Sequence, residues 1–226
     1  MSQEACQGQA KPVHLIALIV RAEDRIALVV HGSARWQAIP GYTLLPIEFP
    51  GATLEGDETP DRASTATALG MQTLGCPVRL IASHTVYGPS ATRHIARLPI
   101  QPGEDPAPLL RVERIAPEER ADGVTLRPVI LRAYRAAAVG AVKPGSALAG
   151  VLWLPPGAMK RALRGLPFAD LLALDGVRWQ PNAGCALPEN AFAYMPSEYG
   201  ERFLLRALAK YGPDAVLQGE NNGVGF

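Results

Sequence analysis

The sequence has no surplus of charge of either sign. Lys and Arg number 22 and Asp and Glu 21, a formal net charge of +1. Nucleic-acid binders draw much of their affinity from a basic surplus set against phosphate, so this balance argues against a nucleic-acid partner. Cysteine is scarce. Cys6, Cys76 and Cys185 lie far apart, and no CxxC pair offers the spacing of a zinc site. Such scattered thiols read as reduced ones in a cytoplasmic protein. Long apolar runs are missing too: the longest, Leu15 to Val20, falls far short of the roughly 20 residues that span a bilayer. Met1 to Lys11 is polar and has no charged-then-apolar leader pattern. The expectation is a cytoplasmic protein without membrane contact. A GxSxG elbow, a GxxxxGK phosphate loop and internal repeats are also absent.

What is present is ordinary globular material. With 226 residues, 48% hydrophobic and 19% charged, the chain can bury a sizeable core without disulfides. The reading is a domain over residues 13–213 between flexible tails at 1–12 and 214–226. Val13 to Arg21 and Ile26 to Val30 are β-branched and apolar around a polar turn, which predicts a hairpin. Repeated Gly and Pro predict a loop with one short strand over 31–46. Thr59 and Pro60 suit the cap and first position of a helix that runs to Gly75. Strands are expected at 78–82, 84–87 and 94–100, with Gly88-Pro89-Ser90 as a turn. Residues 101–127 read as a mostly irregular insertion, followed by strands at 129–139 and 148–154. A helix at 197–211, capped by Ser197, aligns Phe203, Leu204, Ala207, Leu208 and Tyr211 on one face.

Residues 47–76 resemble the Nudix box. Glu48-Phe49-Pro50-Gly51-Ala52 is similar to the start of that motif, with its small pair in reversed order. Glu55, Asp57 and Glu58 match the next part, with Asp57 where Gly is usual, and Thr59-Pro60-Asp61-Arg62-Ala63 resembles its helix start. The preceding hairpin, the His84 to His94 segment and Val151-Leu152-Trp153-Leu154-Pro155 fall in the family's order. The resemblance covers about residues 13–175. It implies an α/β fold, a Nudix-type α/β/α sandwich with a mixed central sheet. It also implies a nucleotide-like ligand, a homodimer, and hydrolysis of a nucleoside diphosphate linked to another group. Hard cations such as Mg or Mn would be held there by carboxylates one helical turn apart.

The chain departs from that pattern where the metals should sit. From Arg62 through Gly103 it contains no Asp or Glu. In the simplest register the family's paired glutamates fall on Gly70 and Met71, which offer no ionised oxygen. The leading expectation is therefore a Nudix-type protein without the standard hydrolase activity and without a cofactor, which binds a nucleotide-like ligand or a protein partner. A divergent hydrolase stays open, with Glu55 or Glu58 as catalytic candidates and Glu55, Asp57, Glu58 and Asp61 as a relocated set for Mg or Mn. Glu113 or Glu118 would be its helper base. A structural or oligomerisation module is the third reading. Glu48, Gly51, Ala52 and Tyr87 are the ligand-binding candidates. Glu48 could equally be a strand-end charge. Tyr87, Trp36, Trp153 and Trp179 could stack on a base, although such aromatics more often pack. His84 and His94 read as ordinary strand residues rather than zinc ligands.

Overall fold

A computed structural model describes residues 11–55, 61–90, 94–120, 123–162, 164–196 and 201–217. The apolar start of the chain forms β1 (Val13–Ala22) and β2 (Arg25–His31), joined at Glu23 and Asp24. The strands pair only at Arg21–Ile26 and Ala22–Arg25, then diverge into separate sheets. β1 is buried on both faces, which is why it reads as a nearly continuous apolar run.

After a short 3-10 turn at Ser33–Arg35 come β3 (Gln37–Ile39), β4 (Tyr42–Glu48) and β5 (Gly51–Glu55). Residues 31–46 thus hold more strand than their Pro and Gly content suggests. Pro46 is tolerated inside β4 because pairing with β3 ends at Leu44 and pairing with β2 begins at Ile47. Its missing N–H falls in that gap.

Next come α1 (Arg62–Leu74), β6 (Val78–Ile81), β7 (Val86–Pro89) and β8 (Ile95–Leu98). Gly88 and Pro89 belong to β7, so the turn expected there begins at Ser90, whose N–H donates to the His94 carbonyl. The N-cap of α1 is Asp61, whose carboxylate accepts from the N–H groups of Ala63 and Ser64. Thr59 and Pro60 lie outside the described residues. Gly75 caps the other end with φ of 62°, in the left-handed region where Gly is favoured. The last turn is closed by the 143–145 loop: the Lys143 and Gly145 N–H groups donate to the Leu74 and Thr73 carbonyls. Gly is needed at 145, because a Cβ there would stand 1.9 Å from the Gln72 oxygen.

β9 (Leu110–Arg120) and β10 (Gly123–Ala138) then form a long antiparallel pair from Arg120–Gly123 down to Leu110–Ala133. This corrects the irregular reading of 101–127. Pro117 and Pro128 disguise an alternation that buries Val112, Arg127 and Val129 and exposes Ile115, Val124 and Leu126. The remaining elements are β11 (Leu148–Leu154), α2 (Pro156–Ala162), β12 (Leu166–Pro167), α3 (Phe168–Leu172), β13 (Arg178–Pro181), β14 (Ala191–Tyr194), α4 (Glu201–Tyr211) and α5 (Pro213–Leu217). The expected C-terminal tail therefore begins with a helix, in which Val216 and Leu217 are buried. The expected cap, Ser197, lies outside the described residues.

The sheet is mixed. β10 runs parallel to β1 and antiparallel to β9 and β6, while β2 runs antiparallel to β11 and β4. Two cores lie on its opposite faces. One gathers Ile16, Leu18, Val29 and Val151 under Ala66, Leu69 and Leu74 of α1. The other gathers Leu15, Ile19, Leu28 and Leu152 under α2, α3, α4 and α5. Helices cover both faces, the expected α/β layering. The buried side of α1 is Ala66, Leu69 and Leu74, while Ala63, a turn before Ala66, is exposed. On α4, Leu204 and Ala207 are the anchors, and Phe203 is only partly buried.

Candidate active site

The chain crosses from one sheet to the other at Phe49 and Pro50, between β4 and β5. The Pro50 carbonyl accepts from the Leu18 N–H at 2.7 Å, which fixes the crossing to β1. Gly51 then lets β5 lie against β1, since a Cβ there would meet the Ile16 oxygen at 2.7 Å. Where the sheets part, a cleft of about 200 Å³ opens, lined by Glu48, Gly51, Ala52 and Thr53 from this segment. His31, Arg35 and Thr73 complete its polar wall.

Glu48 is the one carboxylate among the described residues of this lining. Its Oε1 accepts from Arg35 Nη2 at 2.9 Å, and its Oε2 lies 3.0 Å from His31 Nε2 and 3.3 Å from Arg35 Nη1. His31 Nε2 also stands 2.8 Å from Arg35 Nη1. A single ring nitrogen cannot donate to Glu48 and accept from Arg35 at once, so these contacts alternate rather than add. Burial pushes the Glu48 carboxyl up, but the His31 hydrogen bond and the charges of His31 and Arg35 outweigh it and hold the group below its ordinary value. Arg35 is much the most exposed of the three.

The box helix brings little chemistry to this cleft. Among the described residues Thr73 is its one side chain in the lining, and the Thr73 hydroxyl donates to the Leu69 carbonyl at 2.6 Å. Gly70 faces β6, where a Cβ would meet Val78 and the Cys76 oxygen at 2.7 Å, and Met71 points to solvent. Asp61 sits at the far end of α1, some 18 Å from Thr73 at about 1.5 Å per residue, and serves as the cap. Glu55 ends β5 opposite Val13, two residues beyond the cleft-lining Thr53. Asp57 and Glu58 lie outside the described residues. Among the described residues no three His, Cys, Asp or Glu side chains gather as a metal site. Among the described residues, a lone carboxylate already engaged by Arg35 and His31 does not offer the several oxygens that a divalent cation wants.

Of the other candidates, Tyr87 is corrected to the core. It is 1% exposed and its ring lies 5.1 Å from that of Tyr211, so it cannot stack on a ligand in the cleft. The tryptophans pack: Trp36 Nε1 donates to the His31 carbonyl, Trp153 Nε1 to Gln180, and Trp179 lies edge-on to Phe168. Glu113 is exposed on β9, opposite Ile130, and does not line the cleft. The Glu118 backbone pairs with Thr125 in the outer part of the same hairpin. His84 and His94 fall at opposite ends of the β7–β8 hairpin. Sequence reasoning missed His31 and Arg35. The available signal was weak: His31 ends a strand, and Arg35 follows it by one turn.

No protein-family model matches the chain, and no curated protein matches it either. Solved structures are similar to it. A NUDIX hydrolase from Nitrosomonas europaea is 13% identical, with 67% of this chain and 77% of that chain covered at a TM-score of 0.37. An ADP-ribose pyrophosphatase from Streptococcus suis is 11% identical, with coverage of 66% and 76% and a TM-score of 0.35. A structure described as a possible asymmetric diadenosine tetraphosphate hydrolase, from Jonesia denitrificans, is 15% identical, with coverage of 88% and 93% and a TM-score of 0.39. These neighbours are hydrolases, two of them Nudix by name or pyrophosphatase by activity. At such identities and scores the likeness is one of outline. Among the described residues no helix is long and apolar enough to cross a membrane.

Proposed function

We propose that this chain is a Nudix-type protein that binds the phosphates of a nucleotide-like ligand without metal and does not hydrolyse it. One observation carries the reading: among the described residues the cleft offers the Arg35 guanidinium, the His31 imidazole and a single carboxylate, Glu48, that the two already hold. Arg35 is the exposed partner. When its guanidinium turns to a phosphate, where its planar fork suits two oxygens, His31 can donate to Glu48 and keep that half-buried carboxylate paired. A volume of about 200 Å³ lies below the roughly 300–1,000 Å³ of pockets that engulf drug-sized ligands, so the ligand is held by its phosphate end. Without a metal to neutralise the developing charge and activate water, phosphate binding by Arg35 has no route to turnover.

The test uses ADP-ribose as the probe, with calorimetry for binding and chromatographic detection of AMP for turnover. Binding is expected to survive EDTA and to weaken at least tenfold in Arg35→Ala. Turnover at about 1 per second or faster, abolished by EDTA and by Glu58→Gln, would establish the relocated-metal hydrolase instead. Failure of any nucleoside diphosphate to bind would overturn the reading altogether.

A further inference from the structure

A second cavity, of about 330 Å³, lies near the β1–β2 turn, at the opposite end of β1 from the cleft. Its floor is apolar: Ile19, Ile26 and Leu217 are buried, and Ile81 adds to them from β6. Two arginines converge on it. Arg135 is paired across β10 with Ile19 on one side and Ile81 on the other, so all three side chains share a face. Arg21 lies two residues beyond Ile19 and shares that face as well.

Neither guanidinium is paired with a carboxylate among the described residues. Arg21 Nε donates to the Glu23 backbone oxygen at 2.8 Å. The Glu23 carboxylate at the rim is drawn away to Arg25 at 2.7 Å and Arg178 at 3.7 Å. Two like charges over an apolar floor oppose folding, since each wants water or an anion and repels the other. Burial and the charge of Arg21 both hold the Arg135 guanidinium below its ordinary pKa. An anion relieves both costs at once, and arginine forks are suited to the two oxygens of a carboxylate or a phosphate monoester.

We propose that this cavity is a binding site for a small organic oxyanion, a carboxylate or phosphate monoester, whose short apolar chain lies on Ile19, Ile26, Ile81 and Leu217. The headgroup is bound between Arg21 and Arg135. This site is separate from the Glu48 cleft and does not depend on what that cleft binds.

The experiment is calorimetric titration of the full chain with hexyl phosphate, hexanoate, inorganic phosphate and hexanol, together with thermal melts of the ligand-free variants. One saturable site is expected for hexyl phosphate or hexanoate. Inorganic phosphate should bind at least tenfold more weakly and hexanol not measurably. Arg135→Gln and Arg21→Gln should each weaken the amphiphilic anion at least tenfold, and Arg35→Gln should leave it unchanged. The ligand-free Arg135→Gln protein should melt no lower than the wild type, because it sheds a repulsion. Absence of binding by both amphiphilic anions, or equal affinity in Arg135→Gln, would sink the proposal. A clear drop in that variant's ligand-free melting temperature would make Arg135 a structural residue and overturn it equally.

Discussion

Replacing Glu48 with Gln keeps the shape of the side chain and removes the charge that Arg35 and His31 hold. The Glu48 side chain is 13% exposed, His31 18% and Arg35 46%. Charge-assisted hydrogen bonds contribute about 1.5–3 kcal/mol each and neutral ones about 0.5–1.5 kcal/mol. The exposure of Arg35 discounts its share toward that of a surface pair. Because the His31 and Arg35 contacts at Oε2 alternate, they are not summed. The expected loss is about 1–2 kcal/mol at pH 7, or roughly 4 °C in melting temperature for a chain of this size. The dependence on pH follows from the lowered value of the carboxyl. A group whose folded pKa is depressed stabilises the fold above its unfolded pKa and loses that contribution as pH falls through the folded one. The gap between wild type and Glu48→Gln should therefore be full at neutral pH and close as pH drops below the ordinary 4.5. Urea unfolding of both proteins at pH 7 and at stepped lower values reads the gap directly. A variant as stable as the wild type at pH 7, or a gap that stays constant well below pH 4.5, would refute the ion-pair account of the cleft.

On α4 the packing contrast is sharp enough to measure. Leu204→Ala, at a buried anchor, should cost about 2–5 kcal/mol by urea unfolding, and Phe203→Ala, only partly buried, distinctly less; the reverse order would mean that the helix is rotated. For the thiols, burial raises the Cys76 pKa and shields its sulfur, so mass-mapped alkylation at pH 8 should label Cys185 well before Cys76. Equal rates would show that the α1–β6 junction opens readily.

The one-dimensional pattern determined a good deal by itself. The double-faced apolar run of β1, the hairpin to β2, the α1 stop at Gly75 and the buried Leu204–Ala207 stripe were legible because local chemistry and burial agree there. The want of acids from Arg62 to Gly103 was equally plain, being a property of composition and not of geometry. Tertiary structure alone decided the rest. Prolines hid β4 and the β9–β10 hairpin, since a proline breaks a strand only where its N–H would have been needed, and only the pairing partners tell where that is. Tyr87 looks like a ligand platform in sequence and is core in space, because the chain packs Tyr211 against it from the far C-terminal helix. His31, Arg35 and Glu48 meet only where two sheets part, and Arg21 meets Arg135 only because β1 and β10 run side by side. Charges so distant in sequence become a site through strand pairing, which no single stretch of residues encodes.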